Sequence, residues 1–242
     1  MDPNILTQLS LNILKAFGTR NSSFVFSPVS ILLSLASQNL TEKYIPGISN
    51  IQETALKFST QKTDSYRLDW QYQLNEFRVR EMSNGLKNLK FLKMNIKDNL
   101  LLSCDDLLAR YTINEDIEVL ELPLSEEPEK FVAFIPRSNG NISELIENLT
   151  TSKFQDLLYK LSSEFVNFEI PIFKIKSNLQ YPVPNIFQFE IPDKTEEEVM
   201  RDPGFIKRPC ETIPIHLYLN RPFLFSVIVE KDPILMGVFN GF

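Results

Sequence analysis

The residues able to do chemistry are few. His216 is the lone histidine in 242 residues and sits in the strand-like stretch PIHLYL, while Cys104 and Cys210, the two cysteines, lie far apart in sequence. A nucleophilic serine needs a histidine beside it on a sharp turn, and the chain contains no G-x-S-x-G elbow. His216 therefore reads as a structural or surface residue ahead of a general base. One histidine and two cysteines at unrelated spacings make no zinc pattern. With only 7 glycines there is no G-x-G-x-x-G and no phosphate loop. The expectation is a chain with no cofactor and no enzymatic activity. Glu126, Glu127 and Glu129 crowd around Pro128, a solvated loop rather than a metal or general-acid site. Cys210 is ambiguous. Arg208 close by would lower its thiol pKa and make it reactive, against which stands an inert surface or partly buried thiol.

Composition narrows the class. Hydrophobic residues at 43% and charged residues at 23% are ordinary globular usage. A net charge of −6 argues against a nucleic-acid partner, which needs a clustered basic face. The opening MDPNILTQLSLNIL carries Asp2 where an export signal carries Lys or Arg, and its apolar positions alternate with Thr7, Gln8, Ser10 and Asn12. No run approaches the roughly 20 apolar residues that span a bilayer. The expectation is a cytoplasmic chain with no membrane contact and free cysteines. Four sequons, beginning at Asn21, Asn39, Asn141 and Asn148, point toward export, although such triplets are common by chance.

The elements that must carry these residues follow from periodicity. Leu6, Leu9, Ile13 and Ala16 predict an amphipathic helix over Ile5 to Phe17 with one buried stripe. Ser27 and Pro28 open a second, nearly apolar helix. From Thr41 to about Asp64 no element is assigned. LKFLKM, IEVLELPL and KFVAFIP read as strands. Asn141 with Glu144, and Ser152 with Gln155, read as capping boxes of two helices, the second burying Phe154, Leu157, Leu158 and Leu161. In FVNFEIPIFKIK, Val166, Phe168, Ile170 and Ile172 alternate toward a core, with Pro171 at an edge or bulge. The last 22 residues, RPFLFSVIVEKDPILMGVFNGF, predict a buried hairpin of Phe223 to Val229 and Ile234 to Phe239 around the turn formers Lys231, Asp232 and Pro233. The order of elements implies an α+β protein with antiparallel sheets and helices packed on them.

With those elements placed, the chain resembles a serpin. FVFSPVSI at Phe24 to Ile31 is similar to the family's strand followed by a Ser-Pro helix, and RPFLFSVIVEKDPILMG to its C-terminal hairpin. IEVLELPL resembles its V-L-E-L-P-Y strand, FVAFIPRSNG the strand after it, and VNFEIPIFKIK its V-x-L-P-K-F-K-I-E. The resemblance runs from about Leu89 to Ile175 and again from Ile215 to the end. It implies a single domain over 1–242, with the hairpin central in a sheet beneath the helix that Ser27 starts. It also implies a main sheet reduced by deletion, since the chain is much shorter than the family's usual length. The missing parts fall around 41–70, where Trp70 is read as the remnant of N-A-x-Y-F-K-G-x-W, and around 177–195.

Serpin inhibition, as the resemblance implies it, is bait and trap: a protease cleaves an exposed loop, which then inserts into the main sheet as a new central strand. An inserting strand must donate ladder hydrogen bonds and bury alternate side chains. Counted back from Pro222 and Phe223, its hinge is TEEEVMRDPG, Thr195 to Gly204. Within it Glu197, Glu198, Val199, Met200, Arg201, Asp202 and Pro203 replace the family's small residues. Pro203 has no N–H to donate, and burying Arg201 and Asp202 unpaired would cost several kcal/mol each. The same count puts the cleavage region at Cys210, Glu211 and Thr212, with IPIHLYLN as the short strand after it. The resemblance thus implies a non-inhibitory relative of serine protease inhibitors. Its alternatives are a reversible inhibitor using the exposed loop near 205–212, with a serine or cysteine protease as partner, and a binding or scaffold protein. Shortened sheets also imply self-association through exposed edges, and the resemblance leaves an extracellular location open beside the cytoplasmic one.

Overall fold

The computed structural model describes residues 5–17, 22–29, 31–32, 76–78, 92–96, 99–123, 129–137, 141–171, 174–176 and 213–241. Helix α1 (Ile5–Phe17) precedes strand β1 (Phe24–Phe26). Strands β2 (Glu76–Arg78), β3 (Leu92–Ile96), β4 (Asn99–Ile113), β5 (Ile117–Pro123) and β6 (Glu129–Pro136) follow. Helices α2 (Ile142–Asn148) and α3 (Thr151–Tyr159) lead into β7 (Ser162–Pro171) and β8 (Lys174–Lys176). The chain closes with β9 (Ile215–Tyr218), β10 (Phe223–Val229) and β11 (Asp232–Phe239).

Nine strands form one sheet in the order β1-β11-β10-β6-β5-β4-β7-β9, with β3 on β4, and β2 pairs with β8 apart from it. The pairs are antiparallel except one, because β9 runs parallel to β7 with Val166 beside Ile215 and Glu169 beside Tyr218. Every other described pair fits the expectation of antiparallel sheets. A parallel neighbour needs a long connection, and the stretch 177–212 between them is long enough to provide one. Strand β4 is the frame of the sheet. It runs 15 residues, pairing with β7 from Leu101 to Tyr111 and with β5 from Arg110 to Ile113. Between Cys104 and Leu107 it bulges, with Asp106 at φ 53 and its N–H donating to Asn167 Oδ1 at 2.8 Å. An inserted residue of this kind bends a strand, which lets β4 serve two neighbours at different angles.

The terminal hairpin is the interior of this sheet. Phe223 to Ile228 are buried without interruption, flanked by β6 on one side and β11 on the other. The turn is two residues shorter than expected. Val229 closes on Asp232, the turn is Glu230 and Lys231, and Asp232 and Pro233 belong to β11. Glu230 takes φ 57, as a tight two-residue hairpin turn demands at its first position. Pro233 stands opposite Ile228, and the register shift between Val227 and Ile228 makes Ile234, not the proline, the extra residue of β11. Beside that bulge the buried Ser226 hydroxyl donates to the Leu235 carbonyl at 2.9 Å.

The helices cover this sheet. Phe134 of β6 stacks on Phe154 of α3 with ring centroids 5.0 Å apart, a contact worth about 1 kcal/mol beyond its burial. The expected single stripe of α1 is too narrow. Ile5, Leu11, Leu14, Thr7 and Ser10 are buried as well, and Ala16 is exposed, because α1 packs on β11 and also on α2 and α3. Its two buried hydroxyls are satisfied, Ser10 donating to the Leu6 carbonyl at 2.6 Å and Thr7 accepting from Gln155 at 3.1 Å. The second capping box moves accordingly. Thr150, not Ser152, caps α3 by accepting from Lys153 N, and Gln155 is committed to α1. Asn141 caps α2 as expected, through Ser143 N. The single strand expected from Phe165 to Lys176 divides into β7, where Val166, Phe168 and Ile170 are buried, and β8. Ile172 and the continuation of the Ser27 helix past Leu32 lie outside the described residues.

Gly237 is the tightest point. A Cβ there would stand 2.6 Å from both the Phe225 ring and the Phe24 carbonyl oxygen. Gly237→Ala should cost about 3 kcal/mol, the upper end of the range for overpacking, because one of the two obstacles is backbone. Urea unfolding of the variant checks this, and a loss below the error of the fit would show that β1 can move aside.

Candidate functional site

The hinge, Glu197 to Pro203, and the cleavage region, Cys210, Glu211 and Thr212, lie outside the described residues, as do Glu126, Glu127 and Trp70. What the structure does place is the frame to which that segment returns. Ile213 is 86% exposed, and two residues later β9 docks on β7 at the end of the sheet. On β9 Leu217 faces the core, while His216 and Tyr218 face outward. His216 is exposed beside Asn167, so it is a surface residue. Cys104 lies on β4 opposite Phe168. The Leu219 N–H extends the docking by donating to the Glu169 carbonyl at 2.8 Å, and the chain turns through Arg221 into β10.

Two polar clusters hold this frame, and the sequence reading missed both. In the first, Glu121 on β5 has its side chain only 10% exposed. It receives Arg110 Nη1 from β4 at 3.1 Å and Lys130 Nζ from β6 at 3.5 Å. Arg110 Nη2 reaches onward to the Leu161 carbonyl at 3.0 Å, just before β7. One guanidinium thus ties β4 to β5 and to the start of β7 at the point where β4 pairs with both. In the second, Glu118 on β5 lies 3.6 Å from Arg221 Nη2, and its charge acts on the Tyr111 hydroxyl, although Arg221 Nε is buried without an acceptor. Burial first, and the Glu118 charge second, push the Tyr111 pKa up from 10.0 to about 12. The available signal was charge inside apolar strands: Arg110 in LLARYTI and both glutamates in IEVLELP need partners when buried.

These groups position a segment; they do not form a reacting constellation. Among the described residues no three His, Cys, Asp or Glu side chains are grouped to hold a metal ion, and no helix is long and apolar enough to cross a membrane.

No protein-family profile matches the chain, and no curated protein matches it by sequence. Solved structures do. Maspin superposes with a TM-score of 0.63 at 8% identity, covering 99% of this chain and 97% of that one. SRPN18 from Anopheles gambiae gives 0.62 at 8% identity over 99% and 98%. The thermophilic serpin tengpin in its native state gives 0.61 at 12% identity over 99% and 94%. At these identities the likeness speaks for the architecture, and the chain has the serpin fold, an α+β arrangement shorter than is typical of serpins.

Two measurements test the frame. Arg110→Met strands Glu121 with Lys130 alone and should cost about 3 kcal/mol, while Arg110→Met combined with Glu121→Leu should cost clearly less, because no buried carboxylate is then left short of a partner. A double variant as unstable as the single would show that the pair is mere packing. For Tyr111, the folded state keeps its proton to higher pH than the unfolded state. Its contribution is therefore complete below pH 10 and is lost as pH rises toward 12. Tyr111→Phe should flatten the loss of stability in that window relative to the parent protein, read from urea midpoints at successive pH values.

Proposed function

We propose that this chain is a serpin-fold relative of serine protease inhibitors in which trapping by loop insertion is lost, acting by binding rather than by catalysis. The observation that carries the reading is the hinge. Arg201, Asp202 and Pro203 fall in the segment that would have to become a central strand, and that role needs an N–H at every ladder position and no unpaired buried charge. In this proposal the whole chain is one domain, shortened around 41–70 and 177–195.

The exposure of Ile213 favours a second reading, in which the segment 205–212 with Cys210, Glu211 and Thr212 reaches outward and occupies a protease cleft reversibly, without inserting. A third is a scaffold whose sheet edge at β9 pairs with a partner strand or with a second copy.

The leading reading expects no complex between this chain and a serine protease that survives heat and detergent. A shifted band on a denaturing gel, abolished by substituting Glu211, would overturn it. Nicking after Lys207 should leave the melting temperature unchanged or lower it, since a loop that cannot insert has no stability to release. A large rise on calorimetry of the nicked monomer would mean that insertion survives. Inhibition constants against serine and cysteine proteases then separate the reversible inhibitor from the scaffold.

A further inference from the structure

Two of the four sequons lie in the described residues, Asn141-Ile142-Ser143 and Asn148-Leu149-Thr150, and both are built around the short helix α2. Asn141 is its cap and Asn148 its last residue. Seven residues make almost two full turns, so the two asparagines share one side of the helix about 10 Å apart along its axis. Both are exposed, and with Leu145 between them they line one open cleft of about 430 Å³ whose other wall carries Asp116, Arg137 and Lys153. Each sequon turns its middle residue, Ile142 or Leu149, into the core and leaves its asparagine exposed, and the extended Leu149 and Thr150 end α2 before α3 begins.

We propose that Asn141 and Asn148 are N-glycosylation sites, and that this chain accordingly meets a lipid-diphosphate-linked oligosaccharide on its way out of the cell. In that transfer Nδ2 of the asparagine attacks the anomeric carbon of the first sugar, the lipid diphosphate leaves with the bonding electrons, and the amide gives up one proton. The reaction consumes Nδ2 and spares Oδ1. This distinction matters at Asn141, whose Oδ1 accepts the Ser143 N–H at 2.9 Å to cap α2. A glycan on Nδ2 leaves that cap intact, and the open cleft gives both glycans room without moving the sheet behind α2. The two sugars would cover the Asp116, Arg137 and Lys153 wall and leave β9 free.

The structure also separates the sugar from the fold in a test. Ser143→Ala destroys the first sequon but keeps the cap, which uses the Ser143 backbone N–H. Asn148→Gln destroys the second without touching the Thr150 cap of α3. The full chain is passed through the secretory pathway of a eukaryotic host behind a cleavable leader. It is compared by intact mass and peptide mapping before and after treatment with peptide N-glycosidase, which leaves aspartate at each former site. The expected result is glycan at Asn141 and Asn148, the first lost in Ser143→Ala and the second in Asn148→Gln, with the melting temperature of each variant made without glycan in a bacterial host equal to that of the parent made the same way. Bare asparagines at both positions in the secreted chain overturn the proposal. So does a chain isolated from its own cells whose mass the glycosidase leaves unchanged.

Discussion

The burial of β10 and β11 on both faces is the constraint to which the rest of the molecule answers. Six consecutive buried residues, Phe223 to Ile228, leave no exposed side on which a polar group could sit. Every backbone N–H and C=O along them must be met by a neighbouring strand. β6 and β11 meet those of β10, and β1 meets the far side of β11, Phe24 against Val238 and Phe26 against Met236. The three strands approach so closely at Gly237 that no side chain fits, and the Phe225 ring lies over the place where one would be. α1 then closes on β11, which is why the helix buries most of its circumference and why its two inward hydroxyls carry partners.

An apolar sheet of this kind admits charge only where a partner stands across the strand. Glu121 meets that condition through Arg110 and Lys130, and Glu118 through Tyr111 and Arg221. Both clusters sit at junctions. Arg110 lies where β4 passes from β7 to β5, and Arg221 where the chain turns from the edge strand β9 into the buried β10. They join the outer end of the sheet to its core, so the chain beyond Ile213 is anchored to that core within a few residues.

That anchoring bears on what such a segment can do. A loop held at the edge of a complete, satisfied sheet can present residues to a partner at little cost in order. To insert into a sheet it would need a hinge that accepts burial and a sheet able to open. In the hinge proposed above, Arg201, Asp202 and Pro203 would oppose the first requirement on elementary grounds, desolvation and a missing donor.

Much of the architecture was legible along the chain, because burial writes itself as period. The alternation in β7, the heptad-like spacing of α1, the unbroken apolar run of β10 and the strands IEVLELP and KFVAFIP follow from residue type alone, as does the Asn141 cap. Other features depend on what lies across space. Nothing in the chain around Ala16 tells which side of α1 is left bare, since that is decided by helices more than a hundred residues away. Gln155 looks like half of a capping box until Thr7 is beside it. Pro233 looks like a turn former until Ile228 of β10 stands opposite it. The direction of β9, parallel to β7, is set by the return of a long connection, and the pairing of Arg110 with Glu121 by a register that neither strand carries alone. Local propensity determines which segments become elements; the tertiary fold decides which of their polar atoms find each other, because buried charge and unpaired backbone are settled between strands and not within them.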